Sequence, residues 1–315
     1  MEIFWLKSMR GREIDDSPIQ SAAELRVEIS AKEAAELIVR EFPELQIETI
    51  KKLGGGLDNL AFEVNGEYIF RFPKRDEDNQ KLLREGKVLE LVKDLSSVPV
   101  PEPTFKSTKF MGYRKIEGVS LLEGRETFDG YEELAETLAK FLSQTHSLSL
   151  EEARRIGVPE NSQSFSEWLA DAPQFFEQAK TRVPVELHAP IEKFLREESL
   201  DGNWQPFFSH NDLGIEHIIV KDNSVTGIID WADAEITDPA YDFGKLLRDL
   251  GEDLVKEILA RYTVEANNKE EIFRRAVFYA KCSALEDLAY TAGDGKDKLY
   301  WDNSRAALKR LFRSE

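Results

Sequence analysis

His210, Asp212 and His217 stand in the stretch FFSHNDLGIEHIIV, and Asp230 follows in VTGIIDW. Two imidazoles and two carboxylates, set in a polar loop and at the end of an apolar run, form the kind of proton and metal ligand set that phosphoryl transfer needs. A magnesium ion bridging nucleotide phosphates is usually held by one or two protein groups, with water and phosphate oxygens completing its octahedron. One carboxylate with one neighbour is therefore enough, and Asp212 is left to accept the proton of an attacking hydroxyl. Taken alone, the same residues also read as a core histidine and ordinary turn carboxylates.

For these groups to meet, the residues around them must form a hairpin. Ile218–Val220 and Val225–Ile229 are β-branched runs, and Lys221–Ser224 between them supplies turn residues. A turn centred near Asp222–Asn223 sets residues 215–217 opposite 228–230, within about two positions of register. His217 and Asp230 then share the open end, with Asp212 on the loop just before.

A second constellation lies upstream in IKKLGGGLDNLAFEVNGEYIFRF, residues 50–72. Gly54, Gly55 and Gly56 let backbone N–H groups approach phosphates, although three glycines also mark a plain turn. Asn65-Gly66 is a strong hairpin signal because both residues tolerate positive φ. Three antiparallel strands are expected, the third ending at Arg71. The next helix, Asn79 to about Asp94, carries Glu85 between Leu82–Leu83 and Val88–Leu89. Arg71 facing Glu85 would hold a cation over nucleotide phosphates, as a Lys–Glu pair does in kinases. A surface salt bridge is the competing reading.

Glycine loop, strand cation, helix glutamate, His-x-Asp loop and strand-end Asp follow the order of the protein-kinase-like fold. With HNDLGIEH followed by IIDWADAEITDPAYDF, the chain resembles the aminoglycoside phosphotransferase family of antibiotic kinases over roughly residues 30–290. That family also contains macrolide phosphotransferases. The resemblance implies an α+β, bilobal, protein-kinase-like fold with a small antiparallel-sheet N-terminal lobe and a larger, mainly helical C-terminal lobe. It implies Asp212 as catalytic base, His217 and Asp230 as Mg2+ ligands, Asp242 as a buried brace of the catalytic loop and His210 as a structural loop residue. ATP or GTP would be the phosphoryl donor.

Two positions depart from the commonest pattern of the family. His217 replaces the usual Asn, as in aminoglycoside 2″-phosphotransferases and macrolide phosphotransferases. Arg71 replaces the usual Lys, and Lys74 close by is an alternative phosphate contact. The Arg also leaves open a non-catalytic, nucleotide-binding module.

The boundaries expected are an N-terminal extension over residues 1–22, a nucleotide-binding lobe over 23–115 and a catalytic and substrate-binding lobe over 116–315, each lobe with its own core. Ser30 and Glu33 form a capping-box pattern ahead of a helix at Ala31–Phe42. Pro99, Pro101 and Pro103 enforce an extended passage. The two strands that follow lead out of the lobe, and kinase-like folds place the nucleobase against such a crossing, here Met111, Gly112 and Tyr113, continuing to Lys115.

Substrate recognition is expected from the C-terminal helices, where in aminoglycoside kinases acidic residues hold the drug's ammonium groups. The candidates are Glu235, Asp249, Glu252, Asp253, Glu286, Asp287 and Asp294, with Trp231 also in the cleft. Arg248 interrupts this acidic set, and a less acidic, more aromatic cleft would suit a macrolide. His146, at the end of LAETLAKFLSQTHSL, is expected to make a structural hydrogen bond.

The 315 residues carry 60 acidic against 42 basic side chains, a formal charge of −18. Phosphate backbones would be repelled, which argues against a nucleic-acid partner, while a cationic small molecule would be attracted. The single cysteine, Cys282, precludes an intramolecular disulfide and sits in a helical pattern as a packed thiol. No apolar run reaches the ~18 residues needed to span a bilayer, so no membrane partner and a cytoplasmic location are expected.

Overall fold

The computed structural model describes residues 29–55, 58–196, 204–264, 268–291 and 298–313. The N-terminal extension over 1–22, Gly56 and Asp294 lie outside these. The first helix, α1 (Ala31–Glu41), opens on the expected capping box. Ser30 N–H donates to Glu33 at 2.8 Å, and Glu33 N–H donates back to the Ser30 hydroxyl at 3.3 Å.

Then come β1 (Ile50–Gly55), β2 (Asn59–Val64), β3 (Tyr68–Pro73), α2 (Asp76–Val92), β4 (Pro103–Lys106) and β5 (Met111–Arg114). The strands form an antiparallel sheet in the order β1-β2-β3-β5-β4. Asn65 and Gly66 turn β2 into β3 with φ of 56° and 68°, the conformation this dipeptide tolerates best.

Strand alternation assigns the two faces of the sheet. Phe70 and Phe72 join Phe62, Val64, Phe110, Ala34 and Ile38 in a core under α1. Ile69 and Arg71, one residue out of phase, turn to the opposite face and α2. That face has no separate core. Ile69, Leu82, Val88, Leu89, Val92 and Met111 belong to the same apolar cluster as the C-terminal helices. The two cores expected are present, one under α1 and one in the larger lobe, and α2 adds its single buried stripe to the second and so ties the lobes together.

The larger lobe follows as β6 (Val119–Ser120), α3 (Leu121–Gly124), α4 (Tyr131–Thr145), α5 (Leu150–Arg155), α6 (Phe165–Ala179), α7 (His188–Arg196), β7 (Phe207–Ser209), β8 (Ile218–Lys221), β9 (Ser224–Ile228), β10 (Glu235–Thr237), α8 (Ala240–Leu250), α9 (Glu252–Arg261), α10 (Lys269–Thr291) and α11 (Lys298–Leu311). Short sheets β10-β7 and β6-β8-β9 carry the polar loops. Beneath them α8 packs on α10, which also contacts α6 and α11. The fold is bilobal, α+β and kinase-like. Cys282 is buried in α10, where burial pushes its thiol up. No helix among the described residues is long and apolar enough to cross a membrane.

Candidate active site

The β8–β9 hairpin pairs Ile218 with Ile228, and Ile229 N–H donates to the His217 carbonyl at 3.0 Å. Its turn falls on Asp222 and Asn223, whose φ values are 51° and 63°. This register brings the predicted residues together. His217 Nε2 lies 3.8 Å from Asp230 Oδ2, and His217 Nδ1 lies 2.8 Å from the Asp212 carbonyl oxygen and 3.6 Å from its Oδ2. Burial pulls the imidazole down, but Asp212 and Asp230 on either side carry it up to about 9. A divalent cation at Nε2 would replace that proton, while the Nδ1 hydrogen stays on the Asp212 carbonyl and fixes the ring.

Asp230 adopts a left-handed φ of 64°, a conformation that Asp tolerates better than most residues. Its Oδ1 accepts from Arg71 Nη2 at 2.9 Å, and its Oδ2 faces His217. Burial pushes this carboxyl up, yet Arg71 and His217 hold it below the ordinary value. One carboxylate oxygen and one imidazole nitrogen at this separation fit a magnesium ion that takes its other ligands elsewhere. Among the described residues no cluster of three or more His, Cys, Asp or Glu could hold a metal unaided. Phosphate oxygens and water would have to supply the remaining ligands of any such ion.

Arg71 reaches the site because β3 alternation turns it toward α2. Its Nη1 donates to Glu85 Oε1 at 2.5 Å, and Trp231 N–H donates to the same oxygen at 3.2 Å. Glu85 lies on the buried stripe of α2 with Leu82, Leu89 and Val92, and is only 1% exposed. Burial pushes its carboxyl up to about 7 against the pull of Arg71. Burial also opposes the guanidinium, but Asp230 and Glu85 keep it charged. Arg71 thus joins the N-terminal sheet to the strand-end Asp. Lys74 lies beyond β3, its N–H on the Asp58 carbonyl at 2.8 Å.

The His210–Asp212 loop is held from below by Asp242, which is fully buried. Its Oδ2 accepts His210 N–H at 3.0 Å, and its Oδ1 accepts the N–H of Asn211 at 2.7 Å, where φ is 65°. His146 Nε2 donates to the same carboxylate at 3.1 Å and its Nδ1 meets the Tyr262 hydroxyl at 2.8 Å. The expected structural role of His146 thus has a definite partner. His210 is buried, its Nε2–H on the Ile229 carbonyl at 3.1 Å and its Nδ1 accepting Asp212 N–H at 3.3 Å. Burial lowers its pKa, which suits this neutral, two-bond arrangement.

Several candidates fall elsewhere. Asp249 is fully buried and spent. It accepts from Arg248, from Asn303 Nδ2 at 2.8 Å and from Ile215 N–H at 3.2 Å, so it holds protein rather than a drug. Glu252 and Asp253 are exposed in the first turn of α9, after a reversal at Gly251 (φ 90°), and Glu252 pairs with Lys256 on its own helix. Trp231 is core, stacked on Phe208. Glu235 accepts from Asn211 Nδ2 and Asn161 Nδ2, each at 3.1 Å, and so braces the loop. Glu286 is half-buried on α10 beside Asp287, which accepts from Arg248 Nη1 at 2.6 Å.

Met111, Gly112 and Tyr113 pair with β3 on one side and β4 on the other. Sheet pairing commits their backbone, so the crossing shifts downstream to residues 115–118. Gly54 and Gly55 end β1 opposite Ala61 and Leu60, after a bulge between Lys52 and Gly54.

Three groups at the site escaped the sequence reading. Lys245 Nζ lies 3.0 Å from Asp212 Oδ1. Its three-residue spacing from Asp242 on one helix was the available signal. Glu216 Oε1 accepts from Tyr300 at 2.9 Å and Arg248 at 3.4 Å, a contact between distant segments that no local pattern encodes. Lys81 on α2 bridges Asp58, at the foot of the glycine turn, and Asp233, at 2.5 and 2.7 Å.

A buried cation on an inner strand, a helix glutamate behind it and a His-x-Asp loop facing a strand-end Asp are the arrangement of the kinase-like phosphotransferase class. Residues 49–276 match APH, the phosphotransferase enzyme family, and the chain belongs to that family. Among solved structures it is similar to the GDP complex of wild-type aminoglycoside 2'-phosphotransferase-IIIa, with 25% identity and a TM-score of 0.71 over 90% of this chain and 98% of that one. Its fold is also that of macrolide 2'-phosphotransferase type I, at 18% identity and a TM-score of 0.60 over 91% and 99% of the two chains. The uncharacterized protein YcbJ of Bacillus subtilis (strain 168) is 24% identical over 209 residues, 62% of this chain and 67% of that protein.

Proposed function

We propose that this phosphotransferase moves the γ-phosphoryl group of ATP or GTP to a hydroxyl of a small molecule, with a magnesium ion, which His217 and Asp230 would hold, supplying positive charge beside the phosphates. The observation that carries the reading is the meeting of Asp212, His217 and Asp230 within 3.8 Å contacts, closed by the Arg71–Glu85 pair. The acceptor oxygen forms a bond to the γ-phosphorus as the bond from that phosphorus to the β–γ bridging oxygen breaks. The acceptor's proton passes to Asp212, and the nucleoside diphosphate leaves. Arg71 orients phosphates, while His217 and Asp230 would hold the metal, whose charge neutralises the transferring group. Residues 23–115 would serve the nucleotide and residues 116–315 the acceptor.

An aminoglycoside is the first acceptor to test. A solved neighbour is a complex with GDP and kanamycin, and Glu216 and Asp287 add carboxylates to the cluster around Tyr300 and Arg248. Arg248, which pairs with Asp249, Asp287 and Glu216, favours a second reading with a less cationic acceptor such as a macrolide. Purified protein with magnesium and ATP or GTP, screened by mass spectrometry against both drug classes, separates the two. A phosphoryl mass gain absent in Asp212→Asn supports the reaction, and a panel with no phosphorylated product would overturn the acceptor assignment.

A further inference from the structure

One face of α8 meets the catalytic loop at successive points. Asp242 holds the N–H groups of His210 and Asn211, Lys245 touches Asp212, and Arg248 and Asp249 hold Glu216 and Ile215. Residues spaced by three and four on a helix line one face, so a single rigid element sets the whole 210–216 loop. Most of these contacts fix backbone. Lys245 alone among them grips the side chain of the proposed base.

That grip matters because the Asp212 carboxylate is partly open to solvent, whereas the carboxylate of Asp230 is already tied to Arg71. The Asp212 side chain is 27% exposed, and His217 approaches its Oδ2 no closer than 3.6 Å. Lys245 is 5% exposed, and its Nζ sits over the Tyr241 ring, 5.7 Å from the centroid. An ammonium anchored in this way selects one orientation of the carboxylate, with Oδ1 occupied and Oδ2 directed toward the metal-side His217. In phosphoryl transfer the protein contributes chiefly by positioning, so an oxygen held in register with an acceptor hydroxyl is worth a large factor in rate.

We infer that Lys245 is a positioning residue for phosphoryl transfer, fixing the Asp212 carboxylate for the acceptor hydroxyl. The inference rests on the phosphotransferase reading above. It concerns a residue outside the His-x-Asp and Ile-Asp motifs and adds a fastening to those made by Asp242, Arg248 and Asp249.

The test is a double-substitution cycle of Lys245→Met and Asp212→Asn, with Lys245→Arg as the charge-retaining variant. Turnover is followed with magnesium and ATP or GTP, first against water and then with kanamycin as acceptor. Nucleotide KM and the melting temperature are measured alongside. Lys245→Met should lower kcat by roughly 10- to 100-fold with nucleotide KM changed less than about threefold, and Lys245→Arg should recover part of the rate. In the Asp212→Asn background, Lys245→Met should cost nothing further, because its effect passes through the carboxylate. A merely structural lysine would give additive losses that track the melting temperature. Additivity, or full turnover in Lys245→Met, overturns the inference while leaving the phosphotransferase reading intact. A wild-type protein no faster than Asp212→Asn on every acceptor removes the reading, and the inference with it.

Discussion

Asp242→Asn is the substitution whose effect follows most directly from the geometry. Asp242 is fully buried and its two oxygens accept three hydrogen bonds: His210 N–H and His146 Nε2–H at Oδ2, and Asn211 N–H at Oδ1. An amide has one acceptor oxygen. In its better orientation the oxygen replaces Oδ2, and the NH2 group meets the Asn211 N–H donor to donor. Two buried donors are then unsatisfied, each at about 1–3 kcal/mol, and the remaining bonds lose their charge assistance. The total is roughly 3–5 kcal/mol, or on the order of 10 °C in melting temperature for a chain of this size. Relief comes by moving Asn211, which is adjacent to Asp212, and a displacement of about 1 Å at a reacting group costs roughly 100-fold in rate. Thermal unfolding by circular dichroism and turnover with a saturating nucleotide measure the two effects. A variant that melts within about 1 °C of the parent and turns over at the parental rate would refute the loop-bracing account.

Two further perturbations test other parts of the site. Arg71→Met leaves Glu85 buried without its cation and should destabilise by about 3–5 kcal/mol, whereas Arg71→Met with Glu85→Leu should regain much of that stability and none of the activity. Denaturant melts and phosphotransfer assays on both variants read the split, and equal stability of the single and double variants would contradict it. His217 is raised to about 9 when folded, against ~6.5 unfolded, so without divalent cation its stabilisation is complete below pH 6.5 and is lost as pH rises through 9. The effect is at most about 3 kcal/mol. Melting temperature in EDTA should fall from pH 7 to 9.5 more steeply for the parent than for His217→Asn, while magnesium affinity should rise over the same range; parallel melting curves would show that His217 is not shifted.

Much of this site was legible because local signals and periodicity agreed. Asn65-Gly66 set the strand phase that turns Arg71 toward α2, and Asp222–Asn223 set the register that joins His217 to Asp230. The buried stripe through Leu82 and Leu89 located Glu85. Acidic residues on C-terminal helices were harder to read, because composition does not tell a ligand-facing carboxylate from one fastening its own backbone. Asp249 is of the second kind, and Arg248 beside it was the clue. The shift of the crossing beyond Met111–Tyr113 reflects β4, whose pairing with β5 uses backbone groups that a chain reading leaves free. Lys245 and Lys81 were missed because their partners lie far along the sequence, and helix faces meet distant loops only after the lobes have packed.

The most direct measurement compares wild-type protein and Asp212→Asn for γ-phosphoryl transfer, with nucleotide affinity determined in the same buffer with magnesium. A loss of two or more orders of magnitude in kcat, with nucleotide Kd unchanged within about threefold, is the expected result if Asp212 takes the proton from the acceptor. Equal turnover by the two proteins would contradict the assignment of Asp212 as the base on which the account turns.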